Sequence, residues 1–182
     1  MRKSPSQIVT TMLAPVQTSR PEPCLYWIGS AGAPSRCWPP SSDALKREGS
    51  PGLKVFLDSI RYAVQSVLIV DPFFDGPCGI RVAGECLNDC KARTVRILSG
   101  IRPRDWEQWM IDNKFVWNRP VEFRSRPELG SKVHDRFALV DDELWHFGST
   151  VGGGFGCLSA ASRGWFQFAT DFRYVFDDIW GS

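Results

Sequence analysis

The chain has 182 residues, of which 43% are hydrophobic and 23% are charged, as in an ordinary globular protein with one hydrophobic core. Its formal net charge is only +2, so the overall charge does not by itself require a polyanionic partner. No apolar run approaches the roughly 20 residues of a membrane-spanning helix, and the N-terminal segment lacks the apolar core of a secretion signal. We therefore expect a cytoplasmic protein without a membrane span.

Two stretches rich in small and polar residues precede the regular part of the chain. Residues 1–23 are rich in Ser, Thr and Pro without apolar periodicity, and residues 29–52 form a second stretch of this kind. The short aromatic run CLYWIG between them is typical of one strand. We predict a disordered tail over 1–23 and a single domain over 24–182.

From residue 53 onward, helix and strand patterns alternate. Apolar residues recur at helical spacing from Phe56 to Val67, and the continuous apolar run VLIVDPFF that follows is typical of a buried strand. A helix near 81–90, the strand TVRILSG, the helix DWEQWMIDNKF and the strand VEFRS come next. After a hairpin, the pattern predicts a strand GWFQFA and an amphipathic helix DFRYVFDDIW. This order predicts an α/β fold with a mixed, largely parallel sheet flanked by helices on both faces.

The predicted hairpin VHDRFALVDDELWHFGST contains both histidines of the chain. Side chains alternate along a strand, so His134 and Arg136 point to one face, and the turn falls at the two adjacent aspartates. Ser149 and Thr150 follow the second strand and offer hydroxyl and backbone donors. A histidine, a fixed cation and hydroxyl donors at strand ends are suited to bind a phosphate group.

The six cysteines form no C-x-x-C pair, and no histidine lies at the spacing of a zinc finger. We therefore predict neither a metal site nor another cofactor. Charge is unevenly spread, because residues 91–136 contain eleven Lys or Arg against six Asp or Glu. That segment is either a solvated face or part of a nucleic-acid channel.

The residues from His134 to Ser149 resemble the phospholipase D superfamily pattern H-x-K-x4-D-x6-G-S, with Arg136 in the place of the lysine. The order of predicted elements from about Leu25 to Trp180 is also similar to that of single-motif members. The resemblance implies a small metal-independent nuclease in which His134, Arg136 and Asp141 are catalytic and a phosphohistidine forms. It also implies that Arg136, Ser149 and Thr150 bind the phosphate.

The resemblance further implies a homodimer, because the family site uses two copies of the motif and this chain has one. The second histidine, His146, is then expected to be structural. Two departures from the family pattern keep alternatives open: Val151 stands where an asparagine is frequent, and residues 152–168 contain no carboxylate to orient His134. The alternatives are a catalytically degenerate domain that binds nucleic acid or a partner protein, and a phospholipid phosphodiesterase or transferase. The basic segment favours nucleic acid as the partner.

Overall fold

The computed structural model of the chain describes residues 24–28, 51–74, 81–148, 151 and 159–182, so the predicted tail over 1–23 lies outside the described residues. The strands are β1 (Cys24–Ile28), β2 (Ser66–Asp71), β3 (Thr94–Ser99), β4 (Glu122–Ser125), β5 (Arg136–Val140), β6 (Glu143–Phe147) and β7 (Ser159–Arg163). The helices are α1 (Pro51–Tyr62), α2 (Arg81–Asp89), α3 (Pro103–Asp112), α4 (Leu129–Lys132) and α5 (Ala169–Gly181), and a 3-10 turn covers Phe166–Phe168.

The strands of the described ranges form one mixed sheet in the order β1-β7-β6-β5-β2-β3-β4. The α/β class and the mixed sheet are therefore confirmed. Parallel pairing between neighbours is confined to β2, β3 and β4, and the other four neighbouring pairs are antiparallel. The sheet therefore contains fewer parallel pairs than the predicted, largely parallel one. One of the antiparallel pairs follows from the tight turn between β5 and β6, since two strands joined by so short a connection pair antiparallel.

Helices cover both faces of the sheet, as predicted. On one face, α1, α2 and α3 pack Phe56, Leu87 and Trp106 into a core with β2, β3, β5 and β6. On the other face, α5 packs Ala169 and Phe176 against the alternate residues of the same strands. Every residue of β2 is buried, which is why its sequence reads as a continuous apolar run. None of the helices in the described ranges has the length and apolar character needed to cross a bilayer.

The predicted strand GWFQFA is wrong. The strand lies earlier, at β7, and it pairs with both β1 and β6. Gly164 follows it with a φ of 86°, a conformation that favours glycine and ends the strand. The aromatic residues after Gly164 then enter the 3-10 turn and α5, and the Trp165 indole nitrogen donates a hydrogen bond to the Ser162 hydroxyl at 2.9 Å.

The carboxyl ends of β2, β3, β4 and β6 and the beginning of β5 lie together along one side of the sheet, where these strands end or begin. The pairing of Val70 with Phe137 places the end of β2 beside the start of β5. The segments after β2 and β3 touch at this edge, where the Gly100 N–H donates to the Pro72 carbonyl at 3.1 Å. A Cβ at Gly100 would lie 2.8 Å from that carbonyl oxygen, so the approach requires glycine. We call this side of the sheet the site edge.

Candidate active site

A buried carboxylate and a guanidinium lie together at the site edge. Asp71, the last residue of β2, is fully buried and accepts hydrogen bonds from the backbone N–H groups of Phe73 and Val151, both at 2.8 Å. The Arg136 Nε lies 3.9 Å from the Asp71 Oδ1, and the Arg136 side chain is only 15% exposed. Its guanidinium carbon lies 5.3 Å from the centre of the Phe73 ring. The guanidinium of Arg136 therefore lies beside a carboxylate and an aromatic face, and its buried Nε makes no hydrogen bond within the described part of the chain.

Both histidines converge on one carboxylate. The Asp135 Oδ1 lies 3.0 Å from the His134 Nδ1, and the Asp135 Oδ2 lies 3.3 Å from the His146 Nε2. The His134 side chain, just before β5, is 94% exposed, whereas His146 on β6 is 38% exposed. The hydrogen bond from His134 is the main reason that the pKa of Asp135 lies below its usual value, and the electrostatic influence of His146 lowers this pKa further, against the opposing effect of partial burial.

This arrangement selects a tautomer of His134. An ionised carboxylate only accepts hydrogen bonds, so the nitrogen that faces Asp135 must carry a hydrogen. In the neutral ring the hydrogen then lies on Nδ1, and Nε2 keeps its lone pair. Because the ring is almost fully exposed, that lone pair is available to an incoming electrophile.

The carboxylates of the site were missed by sequence reasoning, and each had a local signal. Residues 152–168 lack a carboxylate, and the carboxylate that contacts His134 is that of Asp135, which lies between the two motif residues. Asp71 ends the apolar run VLIVD, and an acidic residue at the end of a buried strand is unusual enough to indicate a role. His146 was expected to be structural. Besides its contact with Asp135, its ring packs against the Phe137 ring, with 5.2 Å between ring centres.

The structure does not bring Asp141 into this group. Asp141 follows the last residue of β5, so a strand of five residues, about 16 Å long, separates it from the site edge. Its Oδ1 accepts hydrogen bonds from the backbone N–H groups of Gln65 and Ser66 at 2.7 and 3.0 Å, and its Oδ2 accepts one from Val64 at 3.1 Å. The catalytic assignment of Asp141 is thereby corrected, because its carboxylate fixes the turn that leads into β2.

We expect Asp141→Ala to lower the free energy of unfolding by about 1–3 kcal/mol, since three backbone donors lose their acceptor. Alanine also tolerates poorly the φ of 53° at this position, whereas asparagine adopts it more readily. Asp141→Asn is therefore the matched control and should lose less stability. Urea denaturation measures both. An Asp141→Ala variant with unchanged stability would contradict this structural role.

The predicted phosphate-binding residues divide into two groups. Arg136 lies at the site edge, whereas Ser149 and Thr150 lie outside the described residues. Among the residues that flank this pair, Gly148 donates its N–H to the Ala160 carbonyl of β7 at 2.9 Å, and Val151 donates its N–H to the Asp71 carboxylate.

The arginines of the basic segment have more than one role. Arg96 and Arg124 lie over the Trp180 ring, with 5.3 and 4.7 Å from guanidinium carbon to ring centre, so they stabilise the packing of α5. Arg102 and Arg104 are exposed, and they lie where the chain passes from the carboxyl end of β3 into α3. Those two arginines lie at the site edge, as does Arg126, which follows β4 and donates hydrogen bonds from its guanidinium to the Ile179 and Trp180 carbonyls.

No protein-family model and no curated protein sequence matches the chain. Among solved structures, a phospholipase D family member, Nuc from Salmonella typhimurium, is similar with a TM-score of 0.53 and 19% identity over 88% of this chain and 95% of Nuc. The archaeal chromatin protein TrmBL2 gives a TM-score of 0.48 with 11% identity over 91% of this chain and 55% of TrmBL2. The likeness to Nuc spans nearly the whole of both chains, and it shows that this chain has a phospholipase D-like α/β fold.

Proposed function

We propose that the protein is a metal-independent phosphodiesterase of the nuclease type that acts through a phosphohistidine on His134. The observations that carry the proposal are the exposed imidazole of His134, which Asp135 contacts at Nδ1, and the mostly buried guanidinium of Arg136 beside Asp71, two residues further along the chain. An oriented imidazole is a nucleophile for phosphorus, and a fixed cation stabilises the charge on the nonbridging oxygens. The phospholipase D-like fold is consistent with this chemistry.

The proposed reaction has two steps. The His134 Nε2 attacks phosphorus, a P–N bond forms, and the P–O bond to the leaving group breaks while a general acid protonates the departing oxygen. Water then attacks the phosphohistidine, gives its proton to the same group acting as a base, and the P–N bond breaks to release His134. Arg136 binds the phosphoryl oxygens throughout both steps.

The general acid in this proposal is His134 of the partner subunit in a two-fold homodimer, because the sequence contains one copy of the motif. We expect light scattering at micromolar protein concentration to give twice the chain mass of 20.5 kDa. The dimer brings the two imidazoles to one phosphate, so its formation is required for cleavage. A protein that stays monomeric, and gains no mass when DNA is added, would contradict the shared site.

The proposed substrate is nucleic acid rather than lipid. Arg102 and Arg104 are exposed at the site edge, where they can bind the phosphates that flank the scissile bond. The test incubates the protein with single- and double-stranded DNA, with RNA and with phosphatidylcholine vesicles, each in excess EDTA. Cleavage of a nucleic acid under these conditions is the expected result. Cleavage of the lipid alone would support the phospholipid alternative.

A second candidate function is supported by Val151. Its side chain is fully buried and its N–H is bonded to Asp71, so the position where the family pattern has asparagine offers no polar side chain to a phosphate. A catalytically degenerate domain would bind nucleic acid or a partner protein without cleaving. Fluorescence anisotropy with a labelled oligonucleotide separates the two functions, since binding without cleavage by the wild type under every condition favours the degenerate domain.

A further inference from the structure

His146 is linked to His134 through the Asp135 carboxylate, which makes a close nitrogen–oxygen contact with each ring. The His146 Nε2 faces the Asp135 Oδ2, and the other oxygen of the same carboxylate faces the His134 Nδ1. The exposed fraction of the side chains falls along this series, from 94% at His134 through 50% at Asp135 to 38% at His146. His146 is therefore the anchored end of the three residues and His134 is the free end.

The anchoring matters because the outer two residues have little else to hold them. Both precede the first residue of β5, and a hydrogen bond between two exposed side chains is weak, since water competes for both partners. His146, by contrast, sits within β6 with its ring against Phe137. With one oxygen of Asp135 bound to each histidine, the plane of the carboxylate is fixed from both sides.

We propose that His146 is a positioning residue: it holds Asp135, and Asp135 in turn holds His134 in the tautomer with hydrogen on Nδ1. His146 does not touch the reacting phosphate in this scheme. It acts on the population of the tautomer in which the His134 Nε2 is the nucleophile. The effect on catalysis rests on the proposed function, whereas the effect on the His134 tautomer does not.

The first test measures the tautomer directly. The ring nitrogen and carbon NMR signals of His134 report which nitrogen carries hydrogen, in the neutral form at alkaline pH. In the wild type we expect the Nδ1–H form. In His146→Leu we expect a shift toward the Nε2–H form, which the free side chain prefers. Leucine suits the neighbours of this position, which include Phe137, Leu144 and Trp165.

Two further variants keep the test decisive. His146→Gln retains an N–H donor and should restore much of the wild-type tautomer population. Asp135→Ala removes the same link from the exposed side, without a change within β6, and should give the same shift as His146→Leu. Identical His134 signals in the wild type, His146→Leu and Asp135→Ala would overturn the inference.

Kinetics supply a second readout. We expect His146→Leu to lower kcat about 10-fold with little change in KM, because a misplaced nucleophile slows the chemical step more than it weakens binding. In an Asp135→Ala background, His146→Leu should cause no further loss, since both changes break the same link. Independent, additive losses would contradict action through Asp135. A wild type without cleavage would overturn the proposed function and leave the tautomer measurement as the test of this inference.

Discussion

His134→Ala is expected to lower the rate of phosphodiester cleavage by about 10³-fold or more, because the substitution removes the nucleophile of the proposed covalent step. The free energy of unfolding should change by no more than about 0.5 kcal/mol, since the His134 side chain is 94% exposed and makes its hydrogen bond to another exposed residue. Initial cleavage rates in excess EDTA and urea denaturation measure the two effects separately.

The control for this comparison is Asp142→Asn. Asp142 is exposed in the turn between β5 and β6, at the opposite end of the hairpin from His134. The Asp142→Asn substitution should leave both the cleavage rate and the free energy of unfolding close to those of the wild type. Equal cleavage by the wild type and His134→Ala would place the activity in another site or in a contaminant.

Asp71→Ala should lower the free energy of unfolding by about 3–5 kcal/mol, more than any other substitution considered above. Asp71 is fully buried and accepts hydrogen bonds from the backbone N–H groups of Phe73 and Val151. Its carboxylate also lies beside the mostly buried Arg136. Removing the carboxylate leaves two donors without their acceptor and a cation without its counter-charge, which is the costly way to break a buried pair. Denaturant unfolding with linear extrapolation gives the difference.

Asp71→Asn removes the negative charge beside Arg136 but keeps one hydrogen-bond acceptor for the backbone donors. The amide oxygen can accept one of the two backbone N–H groups, but the amide nitrogen is a donor and faces the other, so an intermediate loss is expected. Asp142→Asn makes the same chemical change at an exposed site and should cost no more than about 0.5 kcal/mol. A loss below about 1 kcal/mol in Asp71→Ala would show that the buried carboxylate does not hold this edge together.

The fold was predictable where one local pattern dominates. The apolar spacing from Phe56 onward predicts α1, the continuous apolar run predicts the buried strand β2, and the pair of aspartates predicts the hairpin turn. The prediction failed after Gly164, where aromatic residues at alternating positions read as a strand. These residues enter the 3-10 turn and α5 instead, where Trp165 and Phe166 are partly buried and Phe168 is exposed. An apolar pattern over six residues does not distinguish this arrangement from a strand.

The site was predictable only in part, because it depends on the pairing of distant strands. The motif identified His134 and Arg136, but the approach of Asp71 to Arg136 follows from the register between β2 and β5. The meeting of Asp135 with His146 likewise follows from the register of β5 with β6. Spacing also included Asp141 in the motif without indicating that the length of β5 carries it to the far end of the sheet.

The most direct test of the central claim is to look for the covalent intermediate on His134. The wild type is mixed with an oligonucleotide, stopped rapidly in denaturant at alkaline pH, where phosphohistidine persists, and digested for mass spectrometry. The account predicts that the peptide containing His134 gains the mass of the phosphoryl-bearing fragment, and that His134→Ala gains none. A protein that cleaves the oligonucleotide while the adduct lies on another residue would contradict the account.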